Sequence, residues 1–182
     1  EKLGADSLRW CHLRAYDQAN YQFTEQGAKL RGNHFTLDDV DAPTFLGVRQ
    51  SEFDTTLDVT VGGNSPEAGV TFYLCEDHHY DLYLAQADEV CRAELRLTTG
   101  DAQCVKTSVP LEQGQQEVKL HVESDEEIYT FFAEIAGEKK ELGKARTKYL
   151  SSEVAGGFTG TVMAMYAVNP EEKEDAIGWQ CL

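Results

Sequence analysis

Apolar and polar residues alternate along most of this chain in short runs, and turn residues interrupt the alternation about every ten positions. Val70, Phe72 and Leu74 share one face of a run over 68–75. Tyr80, Leu82 and Leu84 share one face of a run over 80–85, with Asp81 and Tyr83 on the other. Further runs cover 90–98, 104–109, 117–122, 128–135 and 141–146, divided by Thr99-Gly100-Asp101, Glu112 to Gly114, Ser124-Asp125 and Ala136-Gly137. Period-two runs of this length, each closed by turn residues, predict the strands of an antiparallel sandwich or barrel. Upstream, 8–13 opens an edge strand with Trp10 as core anchor, and 14–27 reads as polar and turn-like around Tyr16, Tyr21 and Phe23. Positions 28–36 alternate, with a bend at Gly32-Asn33, and 37–43 form an acidic loop. The longest strand-like region spans 44–61 and includes Phe45, Leu46, Val48, Phe53, Leu57, Val59 and Val61, with a break near Ser51. Positions 62–66 and Glu76 to His79 read as turns, and 140–150 is the one place for a helical turn. The pattern predicts an all-β sandwich of a dozen strands or more.

The chain organises itself around 150–167. Gly156, Gly157 and Gly160 bracket Phe158 and Thr159, which predicts a bent entry into a strand. From Thr161 the residues alternate: Val162, Ala164 and Tyr166 on one face, Met163, Met165 and Ala167 on the other. Neither face is charged, so this strand is expected inside a sheet with both faces covered. Phe158 sits on the bend. By itself it reads as a plug at one end of a core; the sharper reading has the bend present it to a ligand or a neighbouring domain.

Composition narrows the class. At 182 residues, 41% hydrophobic and 26% charged, the chain suits one domain over 1–182. No apolar run reaches the roughly 18 residues of a membrane span, and the start, EKLGADSLRW, is no signal peptide. It reads as the point where a longer chain was cut. Net charge is −16, from 16 Lys+Arg against 32 Asp+Glu, which repels phosphate backbones and anionic lipids. Nucleic acid and membrane partners are therefore not expected, while neutral sugars are indifferent to this field. Five scattered cysteines without a CxxC predict free thiols in a reducing, cytoplasmic setting, with a Cys91–Cys104 bridge left open.

Candidate chemistry is sparse. Glu123, Asp125 and Glu127 are spaced to share a strand face, as paired carboxylates for glycosidic cleavage must. Their neighbours Ser124 and Glu126 are polar, so a solvated hairpin turn is the expected structure. Glu76, Asp77, His78 and His79 with Asp81 offer metal-type ligands, but consecutive residues at a turn do not converge on one ion. Asp38, Asp39 and Asp41 lack the glycine and closing glutamate of a calcium loop, and His12, His34 and His121 stand isolated.

One ordered set of motifs is specific. Trp10, Leu13-Arg14 and Tyr21 lead to Gly27, Leu30-Arg31-Gly32 and Leu37. Then come Pro43-Thr44-Phe45-Leu46-Gly47-Val48-Arg49-Gln50, Ala68-Gly69-Val70 and Gly156-Gly157-Phe158-Thr159-Gly160. From Trp10 to about Trp179 the chain resembles the C-terminal concanavalin A-like (jelly-roll) antiparallel β-sandwich of glycoside hydrolase family 43, the β-xylosidases and α-L-arabinofuranosidases. The resemblance implies a non-catalytic accessory domain, excised from an enzyme whose catalytic β-propeller lies N-terminal, in bacterial cytoplasm unless the missing start directs secretion. The sandwich would pack on the propeller of the same polypeptide. Phe158, with Gly157 and Thr159, would help close the pocket around a terminal sugar of a xylo- or arabino-oligosaccharide. Arg49 and Gln50 match the family's RQ pair, with a structural role. The family often ends in a strand whose Asp helps hold a structural calcium; here Gly178 stands at that position, so no metal or cofactor is predicted. Stripped of its propeller, the domain would expose an apolar patch and self-associate. The alternative is a stand-alone lectin-like module that binds oligosaccharide through Tyr80, Tyr83 or Tyr129.

Overall fold

A computed structural model describes residues 9–25, 27–87, 90–157 and 160–171, together with the backbone of 177–181. Thirteen strands follow one another: β1 (Tyr21–Thr24), β2 (Gly27–Arg31), β3 (Thr44–Arg49), β4 (Thr55–Gly63), β5 (Glu67–Cys75), β6 (His78–Ala87), β7 (Val90–Thr99), β8 (Ala102–Pro110), β9 (Glu117–Ser124), β10 (Ile128–Ile135), β11 (Glu138–Arg146), β12 (Val162–Val168) and β13 (Ile177–Cys181). A 3-10 turn (Thr147–Leu150) and a one-turn helix, α1 (Ser152–Ala155), sit between β11 and β12. The strands form a seven-stranded sheet, β1-β2-β13-β4-β9-β10-β11, and a six-stranded sheet, β3-β12-β5-β6-β7-β8. All neighbouring strands are antiparallel, which makes the predicted sandwich.

Alternation explains the layers. Val59, Val61, Val118, Leu120, Val122, Phe131 and Ile135 of one sheet meet Val70, Phe72, Tyr80, Leu82, Leu95 and Met165 of the other, all essentially buried. As expected, β12 lies inside its sheet, between β3 and β5. Its other face, Val162, Ala164, Tyr166 and Val168, joins Phe45, Tyr73, Tyr83 and Leu37 in a second cluster outside the six-stranded sheet. Loop 32–43 supplies Leu37, which is why this face is covered rather than solvated.

Local chemistry sets the turns. Ala136 and Gly137 both have positive φ (58° and 74°), the two-residue hairpin turn whose twist matches the flanking strands. Gly69 lies in β5 where a Cβ would stand 2.3 Å from the Leu82 carbonyl oxygen and 2.5 Å from Tyr83 Cα. Gly47 of the TFLGVRQ motif is equally constrained, because a Cβ there would meet Val162 and Ala164 of β12 at 2.6 and 2.7 Å.

The structure corrects several boundaries. Tyr21 and Phe23 belong to β1 and not to a turn, while 8–13 contributes a single bridge, Cys11 to Gly47. Gly62 and Gly63 still belong to β4. The helical turn falls at 147–155, whereas 140–146 is strand. Phe53 lies in the loop between β3 and β4, 62% exposed, and not on a buried strand. Cys91 and Cys104 cannot bridge: Cys104 pairs with Leu97, six positions along β7 from Cys91, and both thiols are free.

Candidate functional site

The candidate site lies at the end of the sandwich where β3 stops and β12 begins. Arg49 pairs with Val162, so Gln50 and Thr161 are the next residues out. The backbone N–H of Gln50 donates to the Thr161 carbonyl at 2.9 Å, and the Thr161 hydroxyl donates to the Leu150 carbonyl at 3.0 Å. Leu150 itself is buried. The loop 151–160 therefore leaves and re-enters the sandwich over one tied base. Within it α1 ends at Gly156, and Gly156, Gly157 and Gly160 have φ of 75°, 77° and 69°. A Cβ at Gly156 or Gly157 would meet open space, so backbone conformation and not crowding requires glycine there. Gly157 is exposed; Phe158 and Thr159 lie outside the described residues.

Gln50 is the hub of this end. Its side-chain amide donates to the Glu52 carbonyl (3.0 Å) and the Ser124 hydroxyl (3.3 Å), and its oxygen accepts from Tyr129 (2.7 Å). Burial pushes the Tyr129 phenol up to about 12, so it remains a protonated donor at neutral pH. The Ser124 hydroxyl in turn donates to the Phe53 carbonyl at 2.6 Å, and the Thr55 hydroxyl to the Glu52 carbonyl at 2.9 Å. Arg49 is exposed, and its guanidinium reaches the edge of Gly160. A cleft of about 250 Å³ opens between this turn and the loop, lined by Gln50, Phe53, Tyr129, Ser151 and Thr161. Among the described residues, Glu52 is the single carboxylate lining it. Glycosidic cleavage needs two carboxyl groups about the scissile bond, so this cleft has the parts of a loop bracket and not of a hydrolytic pair.

The other candidates are placed elsewhere. Glu123, next to last in β9, lies on the outer face, held by His121 (2.7 Å) and Lys139 (2.8 Å). Asp125 turns its carboxylate onto the backbone N–H groups of Glu127 and Ile128, which makes it a turn cap. Glu127 points to solvent beside Arg146, so the three carboxylates do not converge. His12 donates from Nδ1 to the Phe45 carbonyl (3.0 Å), while Asp39 and Asp41 cap their own loop. Gly178 pairs with Leu30 and Gly63 in β13 and offers no side-chain oxygen to a cation. Tyr80, Tyr83 and Tyr129 are at most 3% exposed, which removes the aromatic platform that the lectin-like alternative needed.

One cluster was misread. His79 is not in a turn: β6 begins at His78, and His79 is fully buried on the outer face of the six-stranded sheet. Its Nδ1 lies 2.9 Å from Asp81, and its Nε2 lies 3.1 Å from Asp38. Asp81 also accepts from Thr71 (2.7 Å) and Arg96 (2.8 Å), and Arg96 donates on to Glu67 at 2.7 Å. Burial opposes charge on His79, but Asp81 and Asp38 outweigh it and hold the imidazole up at about 9. For Asp81 too, burial opposes the charge and is outweighed by His79, Arg96 and Thr71, so its pKa stays below the usual range. Thr71, Asp81 and Arg96 occupy matching register on β5, β6 and β7, so the cluster is a cross-strand ladder with internal partners. Arg96 between Leu95 and Leu97 was the signal available in the chain.

The sequence family described as the β-xylosidase C-terminal concanavalin A-like domain matches residues 5–177. The non-reducing end α-L-arabinofuranosidase BoGH43B of Bacteroides ovatus is 32% identical over 173 residues, covering 92% of this chain and 32% of that enzyme. Among solved structures, the Bacteroides ovatus xyloglucan-locus GH43B superposes with a TM-score of 0.87 at 29% identity, over 99% of this chain and 38% of that one. The xylan β-1,4-xylosidase of Bacillus halodurans C-125 shares the fold at a TM-score of 0.84 and 17% identity, over 98% and 36%. The chain thus spans about a third of the length of these relatives. A family match over nearly the whole sandwich, with its motifs in place, means that this chain belongs to the β-xylosidase C-terminal concanavalin A-like domains of glycoside hydrolase family 43.

Proposed function

We propose that this chain is the accessory sandwich of a family 43 glycosidase acting on xylosides or arabinosides. It is non-catalytic alone, packs on the catalytic domain of the same polypeptide, and lends the loop 151–160 to the rim of the sugar pocket. In this reading Phe158 walls the pocket and excludes water from the terminal sugar.

The observation that carries this reading is the tied loop base. Thr161 and Gln50 anchor one end, Leu150 anchors the other, and three positive-φ glycines shape what lies between. A base held this way fixes where the loop leaves and re-enters the sandwich, which a wall of a reacting site requires. The test is Phe158→Ala in the full-length polypeptide. Its kcat/KM on an aryl xyloside or arabinoside is expected to fall about tenfold or more, on the order of the 1–2 kcal/mol that a well-placed pocket wall supplies. An unchanged kcat/KM overturns the pocket role.

A further inference from the structure

The turn 51–54 carries an aromatic side chain that the sandwich itself does not use. Phe53 is 62% exposed, yet its backbone is firmly held. Its own carbonyl accepts from Ser124, and the carbonyl before it accepts from both Gln50 and Thr55. Side chains from the end of β3, from β4 and from β9 thus fix a turn that leaves a phenyl ring in water. A loosely held turn could fold the ring back onto the protein; this one keeps it out. The ring borders the 250 Å³ cleft floored by Gln50 and Tyr129, and the cleft's opposite wall, Ser151 and Thr161, is the base of the loop 151–160. Val154, 49% exposed, projects from that same loop. A rigid aromatic anchor beside a side-chain-sized cleft is the form that energetically dominant interface residues take, because little ordering cost remains at binding.

We infer that Phe53 and this cleft are the seat of the catalytic domain: the ring enters an apolar recess on that domain, and one of that domain's side chains fills the cleft. The inference rests on the accessory-domain reading above and says which surface makes the contact. Two facts select this occupant over a second copy of the chain or a sugar. The family 43 relatives carry the matched sandwich as about a third of a longer polypeptide, so a tethered partner is present at high effective concentration. The cleft is also continuous with the loop base, and a loop that reaches into a partner's pocket brings its base against that partner. A free sugar would meet one exposed ring here, since Tyr129 in the cleft floor is only 3% exposed.

The experiment places the photo-crosslinking residue p-benzoylphenylalanine in the full-length polypeptide at position 53, 158 or 105 in turn. Val105 is the control, 49% exposed on β8 at the far edge of the six-stranded sheet. The expected result is cross-links to catalytic-domain peptides from 53 and 158 and none from 105. Cross-links from 158 without any from 53 overturn the docking seat and leave the pocket reading standing. None from either position overturns both. In parallel, Phe53→Ala is expected to raise the rate of proteolytic separation of the two domains on the order of tenfold, with a smaller rise for Phe53→Leu. A Phe53→Ala enzyme with unchanged separation, whose KM rises for an oligosaccharide but not for an aryl monosaccharide, would make sugar the occupant and overturn the inference.

Discussion

Tyr129 of β10 donates its phenolic hydrogen to the side-chain oxygen of Gln50 over 2.7 Å, joining the seven-stranded sheet to the end of β3 in the other. Tyr129 is only 3% exposed, and Gln50 supplies the acceptor that its hydroxyl needs. Gln50→Leu therefore strands a buried hydroxyl and frees the 51–54 turn together. It is expected to cost ~2–3 kcal/mol by denaturant unfolding, whereas Tyr129→Phe, which removes the donor cleanly, costs ~1 kcal/mol. Equal costs for the two variants would mean that the bond does not organise this end.

The buried His79 clamp predicts a pH dependence with a definite sign. The imidazole is held up at about 9, above its ordinary value near 6.5, so the folded chain binds the extra proton more tightly than the unfolded one. Its stabilising effect is complete below about pH 6.5, declines as pH rises, and is lost once pH passes about 9. Thermal unfolding measured at pH 6, 7.5 and 9.5 should show a falling Tm. His79→Gln should flatten that slope and lower stability at pH 6. A profile for the variant that still falls like the wild type would place the titrating group elsewhere.

Two kinds of glycine should respond differently to alanine. At Gly69 the new Cβ would overlap backbone atoms of Leu82 and Tyr83, so strands β5 and β6 must separate. Gly69→Ala is expected to cost ~3 kcal/mol or more, in the range of severe overpacking. At Gly156 there is open space, and the cost is backbone strain alone, ~1–3 kcal/mol, because φ 75° with ψ −178° is a region that only glycine enters freely. Urea unfolding of the two variants, compared directly, tests the assignment.

The acidic segment after β9 should be dispensable for chemistry. Glu123 serves a surface ladder with His121 and Lys139, and Asp125 caps a turn. Glu123→Gln and Glu127→Gln in the full-length enzyme are expected to leave kcat within about twofold of wild type, because exposed pairs of this kind contribute little. A loss of a hundredfold or more would return these residues to the active site.

Strands with two-sided alternation were legible in the residues: β5, β10 and β12 lie where their patterns put them. The misreadings have physical causes. In β11 the register slips opposite Phe131 and Phe132, and the extra residue lets Leu142 and Ala145 both face inward. The spacing of three between them is the mark of that bulge in an otherwise alternating strand. His79 reads as polar and turn-like because its partner Asp38, and Arg96 on the far side of Asp81, come from distant parts of the chain and a covering loop hides the face it occupies. The break near Ser51 was legible, but alternation does not reveal that Phe53 belongs to the break and not to the strand after it. The site's frame was visible as the TFLGVRQ and GGFTG motifs, and Gly47 shows one reason for the first: β12 leaves no room for a Cβ. Gln50's partners, Ser124 and Tyr129, lie more than seventy positions away and could be found only from the fold.

The most direct test of the accessory-domain account is an assay on an aryl xyloside and an aryl arabinoside with three samples: this chain alone, the separately produced catalytic part of its parent polypeptide, and the two mixed. The account predicts no turnover from this chain, weak turnover from the catalytic part, and a rise on mixing that Phe158→Ala abolishes. Turnover by this chain alone would contradict it.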